Sequence, residues 1–514
     1  MMPLHAHGPA RPAADGFHHP QSEDELAAMV RFARRQGRQM RVRGSAHSVK
    51  AAIFVDPGLG NVDVMLDRYT GVVFDDQHCR VTVQAGCHLG VDPRDPTRSS
   101  TWENSLLAQL DARGWALPDL GGVTHQTISG YLMTGSSGGT TRHAIEDAVI
   151  SLRLIDGTGT VRELRRGHDE LFEAALCSMG LLGVISSLTL QCVPRYDIIG
   201  QEDTTSEAET AYALLGDGQE GLEGFLRRAE YARLMWWPQQ GVRRVVTWQA
   251  RRMQDSDYGA LTGLRGSLKP KKYSALGAEI QNRHLASFAN QAAQVAGGLF
   301  YDGLALAGRA NSLLSSARAN RLRAAFAAHV LPPVLRTFVT AGTSQCFWDS
   351  WCHGLPLDNQ ISELSMPTDF TEIWLPLERA GEVMRALRAR YDRAGYDATG
   401  AFICEVYAAR ATHAWLHPAY ERDSLRIDLF WFRRNPGDPA RTYFEQFWRL
   451  LRPFGYRLHW GKILPLDPLL GADYLQRQYP RWNDFLAVRA QLDPDRVFFT
   501  RYWRAALGAG TSPS

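Results

Sequence analysis

The chain has 514 residues, 45% hydrophobic and 22% charged, close to ordinary globular proteins and unlike a disordered chain, a small disulfide scaffold or a membrane bundle. Lys and Arg number 57 against 54 Asp and Glu, so no net field argues for nucleic acid and small molecules are the expected partners. The seven cysteines, at 79, 87, 177, 192, 346, 352 and 404, are too sparse for a disulfide framework and lack CxxC spacing, which reads as reduced, mostly buried thiols.

Met1 to Gly16 is rich in His, Pro and Ala without an apolar leader segment, and no run reaches about 18 apolar residues, so a cytoplasmic protein without a transmembrane segment is expected. Ser22-Glu23-Asp24-Glu25 has the S-x-x-E form of a capping box, and Leu26, Met29, Val30 and Ala33 follow at helical spacing until Gly37. A short extended run over Met40 to Arg43 leads into the small-residue turn Gly44-Ser45-Ala46-His47-Ser48. Strands are expected over Asp63 to Leu66 and Arg80 to Gln84, and a helix over Leu106 to Arg113. Leu117 to Gly122 and Gly130 to Gly139 hold little but turn formers and hydroxyls, a composition that cannot build a core. Val149 to Leu154, Thr160 to Leu164 and Val184 to Leu190 alternate as strands around the hairpin signal Asp156-Gly157. A second region opens with strand-like runs over Ala232 to Pro238 and Val242 to Gln249, continued by Ser365 to Leu377 and Ser424 to Phe432. Ala275 to Val330 is Ala-rich and weakly amphipathic, a lid or helical insert. A helix over Trp482 to Leu492 and a strand over Val497 to Tyr502 would return to the first domain. The fold class is α+β.

Two segments carry chemistry. His47 stands in a turn whose small neighbours let a planar ligand approach the backbone, or it is a solvated turn histidine. Gly121, Gly122, Gly130, Gly135, Gly138 and Gly139, interleaved with Thr124, Thr127, Ser129, Thr134, Ser136, Ser137 and Thr140, offer peptide N–H groups and hydroxyls dense enough to wrap a diphosphate, or form a flexible loop. Neither a Walker A loop nor a GxGxxG fingerprint is present.

With these segments the chain resembles the vanillyl-alcohol-oxidase-type, FAD-linked (PCMH-type) oxidases, in the branch of the alditol oxidases, sugar-lactone oxidases and type II cholesterol oxidases. The resemblance rests on the Gly44 to Ser48 turn, Leu117 to Gly139, GLLGVISSLTL at 180–190, Cys404-Glu405-Val406-Tyr407, Trp415 to Tyr420, His459-Trp460-Gly461-Lys462 and Leu492 to Phe498, in the family's order from residue 18 to about 503. Only Ala275 to Trp351 lacks a counterpart.

The resemblance implies a two-part FAD-binding domain, residues 18–195 with a return over 476–514, after a flexible 1–17. It also implies a central substrate domain, 196–475, on a large antiparallel sheet flanked by helices, with 275–351 as its helical insert. His47 falls where the family links the flavin 8α carbon, and one covalent bond is expected because no cysteine near Leu117 to Gly139 suggests a second. The FAD contacts would come from Arg43, Gly44, Ser45, Ala46, Ser48, Gly121, Gly122, Thr124, Thr127, Gly130, Thr134, Gly135, Ser136, Gly138, Gly139, Gly183, Val184 and Ile185. Glu405, Lys462 and Tyr407 would be the catalytic groups. No metal is implied.

The chain departs from the family where polyol and lactone oxidases have Glu-x-Arg, since it has Glu405-Val406-Tyr407, and where alditol oxidases have a serine, since it has Gly122. Two polar anchors gone, with Trp236, Trp237, Trp248, Phe347, Trp348 and Trp351 in the substrate domain, argue for a hydrophobic or natural-product-like alcohol, with Trp236, Trp348, His353 and His459 as substrate contacts. Gly121 would leave a path for O2, giving an oxidase that makes H2O2. Oxidative decarboxylation, a dehydrogenase using another acceptor, and a binding protein touching a membrane surface through 275–330 are the competing readings; the oligomeric state stays open.

Overall fold

The computed structural model describes residues 11–58, 60–263, 271–272, 291–312, 328–359, 367–395, 400–465 and 467–509. Ser22 caps the helix Glu23–Arg35, its Oγ accepting from Glu25 N at 3.2 Å while the Glu25 carboxylate accepts from Gln21 N at 2.8 Å. Leu26, Ala27, Met29, Val30 and Ala33 are the buried face of that helix, as the spacing predicts.

The first sheet is antiparallel and runs Val72–Asp75, Arg80–Gln84, Val184–Gln191, Val149–Ile155, Val161–Arg165. Its last hairpin turns at Asp156, whose carboxylate accepts from Thr158 N at 2.9 Å and Thr160 N at 3.2 Å, with Gly159 at φ +80°. Beside it, Met40–Arg43 pairs in parallel with Val62–Met65.

Two sequence expectations fail here. Residues 130–139 do enter the core: Thr127 caps the helix Ile128–Met133, and Ile128, Tyr131 and Leu132 are fully buried. Three large side chains in one short helix suffice even among turn formers. The expected strand Val497–Tyr502 does not form, because the Asp493 carboxylate accepts from Val497 N (2.7 Å) and Phe498 N (3.0 Å), taking donors a strand would give a neighbour, and a helix Arg501–Ala506 follows. The C-terminal segment still returns to the first domain, through Met40 N to Val497 O (2.8 Å), Gly157 N to Leu492 O (2.8 Å) and Trp503 Nε1 to Ala52 O (2.9 Å).

The second sheet has nine strands in the order Lys271–Lys272, Thr343–Ser350, Asp197–Ser206, Arg244–Arg252, Tyr231–Trp237, Cys404–Ala409, Ser424–Phe432, Thr368–Pro376, Arg457–Leu458, antiparallel except for the first pair. Helix Ala380–Ala394 covers one face, where Tyr391 meets Trp236 edge-on at 5.9 Å. Of the expected insert, 273–290 and 313–327 lie outside the described residues; helix Gln291–Ser312 packs Tyr301 with Trp237, Phe402 and Phe432 on the other face. No helix among the described residues is long and apolar enough to cross a membrane.

Buried Arg41 joins three parts of the first domain: Nη2 donates to Ala52 O (2.7 Å) and Met179 O (2.8 Å), and Nη1 reaches Phe498 O at 3.4 Å. Arg41→Met leaves those carbonyls without a donor and should lower unfolding free energy by about 2–4 kcal/mol in chemical denaturation; a change under 1 kcal/mol would show that water replaces it.

Candidate active site

The Gly44 to Ser48 turn leaves strand Met40–Arg43 and enters the helix Lys50–Ile53, with Ala46 at φ +57° redirecting the chain at His47. A Cβ on Gly44 would stand 2.8 Å from Thr127 Oγ1, so glycine allows the turn to close against the cap of helix Ile128–Met133. Between them runs a cavity lined on one side by Arg43, Gly44, Ser45, Ala46, His47 and Ser48, and on the others by Thr127, Gly130, Thr134, Ser136, Gly183, Val184 and Ile185, with Arg41, His459 and Lys462. Its lining residues offer peptide groups, hydroxyls and cations and include no carboxylate, a donor set that fits the diphosphate of FAD.

Burial, reinforced by Lys462, His125, Arg94 and His88, pushes the His47 pKa down to about 2, so its imidazole is neutral at any working pH. Its ring lies 5.3 Å from that of His125, and the Arg94 guanidinium stands 3.2 Å from Nδ1. Val49 N donates to Gly461 O at 2.9 Å, tying this turn to the segment carrying His459 and Lys462. His459, driven down to about 3 by burial, reaches Ser136 Oγ at 3.3 Å.

The rest of the glycine-rich cluster serves packing and lies outside that lining. A side chain at Gly121 would be aimed at the Tyr131 ring, its Cβ 2.9 Å from Cε2 and 3.1 Å from the hydroxyl, so close packing asks for glycine there. Gly122 faces Asp358; Thr124 is held by Asn359; Gly135, at φ +75°, lies against His417 and Pro418. Gly138 N donates to Asp119 Oδ2 at 2.9 Å, and Gly139 O accepts from Ala232 N at 2.8 Å, joining the cluster to the second sheet.

On that sheet, cross-strand register assembles the polar groups. Glu372, Asp428 and Glu405 stand directly opposite one another on three neighbouring strands, and the next row holds Trp374, Arg426, Tyr407 and Arg233. Phe370 and Phe430, 5.2 Å apart, form an apolar row beside the carboxyls, with Lys462 Nζ 4.0 Å over the Phe370 ring. Arg426 bonds Glu372 at 2.8 Å, Tyr407 OH at 2.9 Å and Ser137 O at 2.6 Å, and Tyr407 OH donates to Asp428 Oδ2 at 2.8 Å. Arg233 contacts Glu405 and bonds Asp358 at 2.5 Å.

Four carboxyl groups thus share two guanidinium groups in a dry place, and their pKa values separate. Burial, with Glu372 beside it, drives Asp428 well above the ordinary carboxyl range. Burial also raises Glu405 to about 7, Arg233 opposing and Asp358 adding to the rise. Glu372 goes the other way: despite burial, Arg426, His459 and Lys462 hold it below its usual value.

The structure therefore brings Glu405 and Tyr407 together, while Lys462 neighbours Glu372 at the far end of the same face. Three substrate expectations are corrected. Trp236 pairs with Cys404, and Trp348 with Ile199, on the face turned away from Glu405, because residues at odd and even positions of a strand project oppositely. His353 is exposed and meets Ser350 and Trp102 instead. Arg233, Asp358, Glu372, Arg426 and Asp428 went unforeseen, although Arg426 and Asp428, two apart inside the apolar run Ser424–Phe432, were a readable signal.

Residues 329–506 match the family model described as D-arabinono-1,4-lactone oxidase, and residues 14–91 and 101–165 match the FAD binding domain model. L-gulonolactone oxidase of Bos taurus is 24% identical over 491 residues, 95% of this chain and 93% of that protein. L-gulono-1,4-lactone dehydrogenase of Mycobacterium tuberculosis is 26% identical over 519 residues, 99% and 100% of the two chains. D-arabinono-1,4-lactone oxidase of Eremothecium gossypii is 33% identical over 240 residues, covering 45% of this chain and 40% of that protein, less than half of each. The crystal structure of cholesterol oxidase from B. sterolicum shares the fold, with a TM-score of 0.67 at 14% identity over 95% of this chain and 93% of that one. The chain is an FAD-linked oxidoreductase similar to the sugar-lactone oxidases and dehydrogenases.

For this FAD-linked oxidoreductase the two polar anchors missing from the sequence pattern are supplied from elsewhere in the chain. Arg233 lies directly across from Tyr407, and the Asp358 carboxylate occupies the space a side chain at Gly122 would take. With polar groups at both positions, the site gives no reason to expect an apolar substrate.

The charge pattern can be checked by substitution. Arg426→Met strands the Glu372 carboxylate and should cost about 3–5 kcal/mol in urea denaturation at pH 7. Asp428→Asn should cost less than that, since burial favours the uncharged form of the native acid. Above the ordinary carboxyl range the unfolded chain sheds that proton and the native state does not, so stability falls as pH rises; Asp428→Asn should flatten that fall between pH 5 and 8.

Proposed function

We propose that the protein oxidises a CH–OH carbon of a polyhydroxylated, lactone-type sugar, with FAD bonded to His47 and O2 taking the electrons as H2O2. The observation that carries this reading is the sheet face on which Glu405, buried and poised near neutrality, stands beside Arg233 and Asp358, while Lys462 at the other end of that face lines the cavity. Relatives aligned along nearly the whole chain are named as sugar-lactone oxidases or dehydrogenases, which supports the substrate class. The division into 18–195 with 476–514 around FAD and 196–475 around substrate suits the two sheets. Seven free thiols suit a reducing compartment such as the cytoplasm.

Bound FAD would accept the carbinol hydrogen with its electron pair, and O2 would then take the pair with two protons. Glu405 in its ionised form takes the substrate hydroxyl proton, and Tyr407 and Arg426 hold the carboxyl row in place. The Lys462 ammonium faces the cavity and offsets negative charge developing there. Neutral His47 can act as nucleophile toward the 8α carbon. The lining residues from Arg43 to Ser48, with Thr127, Gly130, Thr134, Ser136 and Gly183 to Ile185, would hold the dinucleotide. Decarboxylation is less well supported, because both guanidinium groups of the face already meet carboxylates. A dehydrogenase is the second reading, favoured by the name of the mycobacterial relative.

Acid-precipitated protein should stay yellow, with the flavin mass on a tryptic peptide containing His47; colour released wholly into the supernatant would exclude the bond. The rate constant for anaerobic flavin reduction by an aldonolactone should rise with pH through about 7 as Glu405 ionises among Arg233, Asp358, Asp428, Arg426 and Tyr407. Glu405→Gln should lower it by about 10²–10⁴-fold and remove that inflection. Mixing reduced enzyme with aerated buffer should give rapid reoxidation and one peroxide per flavin, whereas slow reoxidation with fast turnover on an artificial acceptor would favour the dehydrogenase.

A further inference from the structure

We propose that Arg233 is the substrate-binding cation of this site and that Asp358, which holds it, makes the site select neutral polyhydroxylated substrates over their carboxylates. The inference rests on the reading of CH–OH oxidation above and names the residues that set its specificity.

Arg233 is 5% exposed, and its Nη2 is spent on Asp358 and Glu405. Its Nε and Nη1 are buried without a hydrogen-bond partner. Leaving donors of a buried cation unmet is costly unless a ligand meets them. A Cβ on Gly122 would lie 3.4 Å from Nη1 and would collide with the Asp358 carboxylate, so Asp358 can stand beside Arg233 only because residue 122 has no side chain.

Asp358 is positioned by the first domain. Its backbone N donates to Gly122 O at 2.7 Å, and the next residue, Asn359, accepts from Thr124 N and donates to Thr124 Oγ1, both at 2.8 Å. Arg233 comes from the second sheet. The pair therefore closes across the junction where the substrate carbon must meet the cofactor, and its geometry depends on both domains.

The charge balance sets the preference. One guanidinium stands between two carboxyl groups, so the trio carries a net charge of −1 with both ionised and 0 with Glu405 protonated. In neither state is positive charge left over for a carboxylate. Two carboxyl oxygens and a guanidinium fork instead offer acceptors and donors for hydroxyl and lactone carbonyl groups.

The test uses flavin-loaded enzyme, anaerobic stopped-flow reduction, and a matched set of an aldono-1,4-lactone, the corresponding alditol and the open-chain aldonate. Wild type should reduce with a neutral member at least 100-fold more efficiently than with the aldonate. Arg233→Gln should raise the apparent Kd for the neutral substrate about 10- to 100-fold, with a smaller change in the limiting rate. Asp358→Asn, nearly the same shape, should raise aldonate efficiency relative to lactone at least 10-fold. Flavin absorbance and thermal midpoint check folding, and Arg233→Lys, which keeps the charge and loses the fork, should weaken binding about 10-fold if the Gln variant does not fold. An unchanged Kd in the Arg233 variants, or an unchanged lactone-to-aldonate ratio in Asp358→Asn, overturns the inference for a substrate that wild type oxidises. Flavin in wild type left oxidised by every neutral sugar overturns the functional reading itself and the inference with it.

Discussion

The constraint on which the active face depends is the register of four antiparallel strands that places Glu372, Asp428 and Glu405 in one row and Arg426 and Arg233 in the next. Like charges directly opposite one another destabilise a sheet, and burial removes the water that would screen them. The protein meets this by giving each acid a different neighbour. Glu372 has Arg426, Trp374 Nε1 at 2.8 Å and the nearby Lys462, so it keeps its charge. Asp428 has a phenol and retains its proton. Glu405 shares Arg233 with Asp358 and is left between the two states. Burial raises the acids of this row, and with fewer guanidinium than carboxyl groups to oppose it one of them is left poised near neutrality, which is the condition a base needs.

The cofactor slot and this face are coupled through backbone. Val49 N on Gly461 O joins the His47 turn to the Lys462 segment, Ala232 N on Gly139 O fixes the residue before Arg233, and Arg426 Nη1 reaches Ser137 O. Glycines 138 and 139 are close-approach positions in these joints, where a side chain would meet Asp119 or the Ala232 carbonyl. A segment that looks in sequence like one long phosphate-binding loop is thus divided. Thr127, Gly130, Thr134 and Ser136 in its middle line the cavity, Gly121 and Gly122 before them pack against Tyr131 and Asp358, and Gly138 and Gly139 after them bring the two sheets together.

Much of the fold was legible because period and capping act locally. Ser22 caps the helix that its S-x-x-E box announces, and the strand over Ser424 to Phe432 is found where the sequence places it. What failed depended on long-range partners. Asp493 takes the amides of Val497 and Phe498, so an extended apolar run is not a strand, and Tyr131 enters a core that turn-rich neighbours seemed to exclude. His47, Glu405 and Tyr407 were recognisable from motifs contiguous in the chain. Arg233 and Asp358 were not, since the first is one cation in an apolar strand and the second acts through the absence of a side chain 236 positions away, at Gly122. Trp236 and Trp348 misled for a simpler reason: composition shows how much aromatic surface a domain has, whereas strand parity decides which face receives it.

Parity also explains how a site can keep its chemistry while a motif changes. Tyr407 and Arg233 face each other across adjacent strands, a separation of about 5 Å between Cβ atoms. A long, flexible guanidinium side chain spans that step, so a cation supplied by one strand can serve the space above its neighbour. The exchange has a consequence for Glu405. An arginine two residues along its own strand would lie beside it, but one from the next strand reaches it from across the row and brings Asp358 with it. The second carboxylate weakens the hold of Arg233 on the Glu405 charge, so the substitution that appears to remove a substrate anchor also helps to set the acidity of the base. Met235 and Phe430, packed beside the insert helix with Phe300 and Leu304, close the other side of the face. The polar groups of the substrate and its reacting C–H bond can then be met by opposite walls of one site.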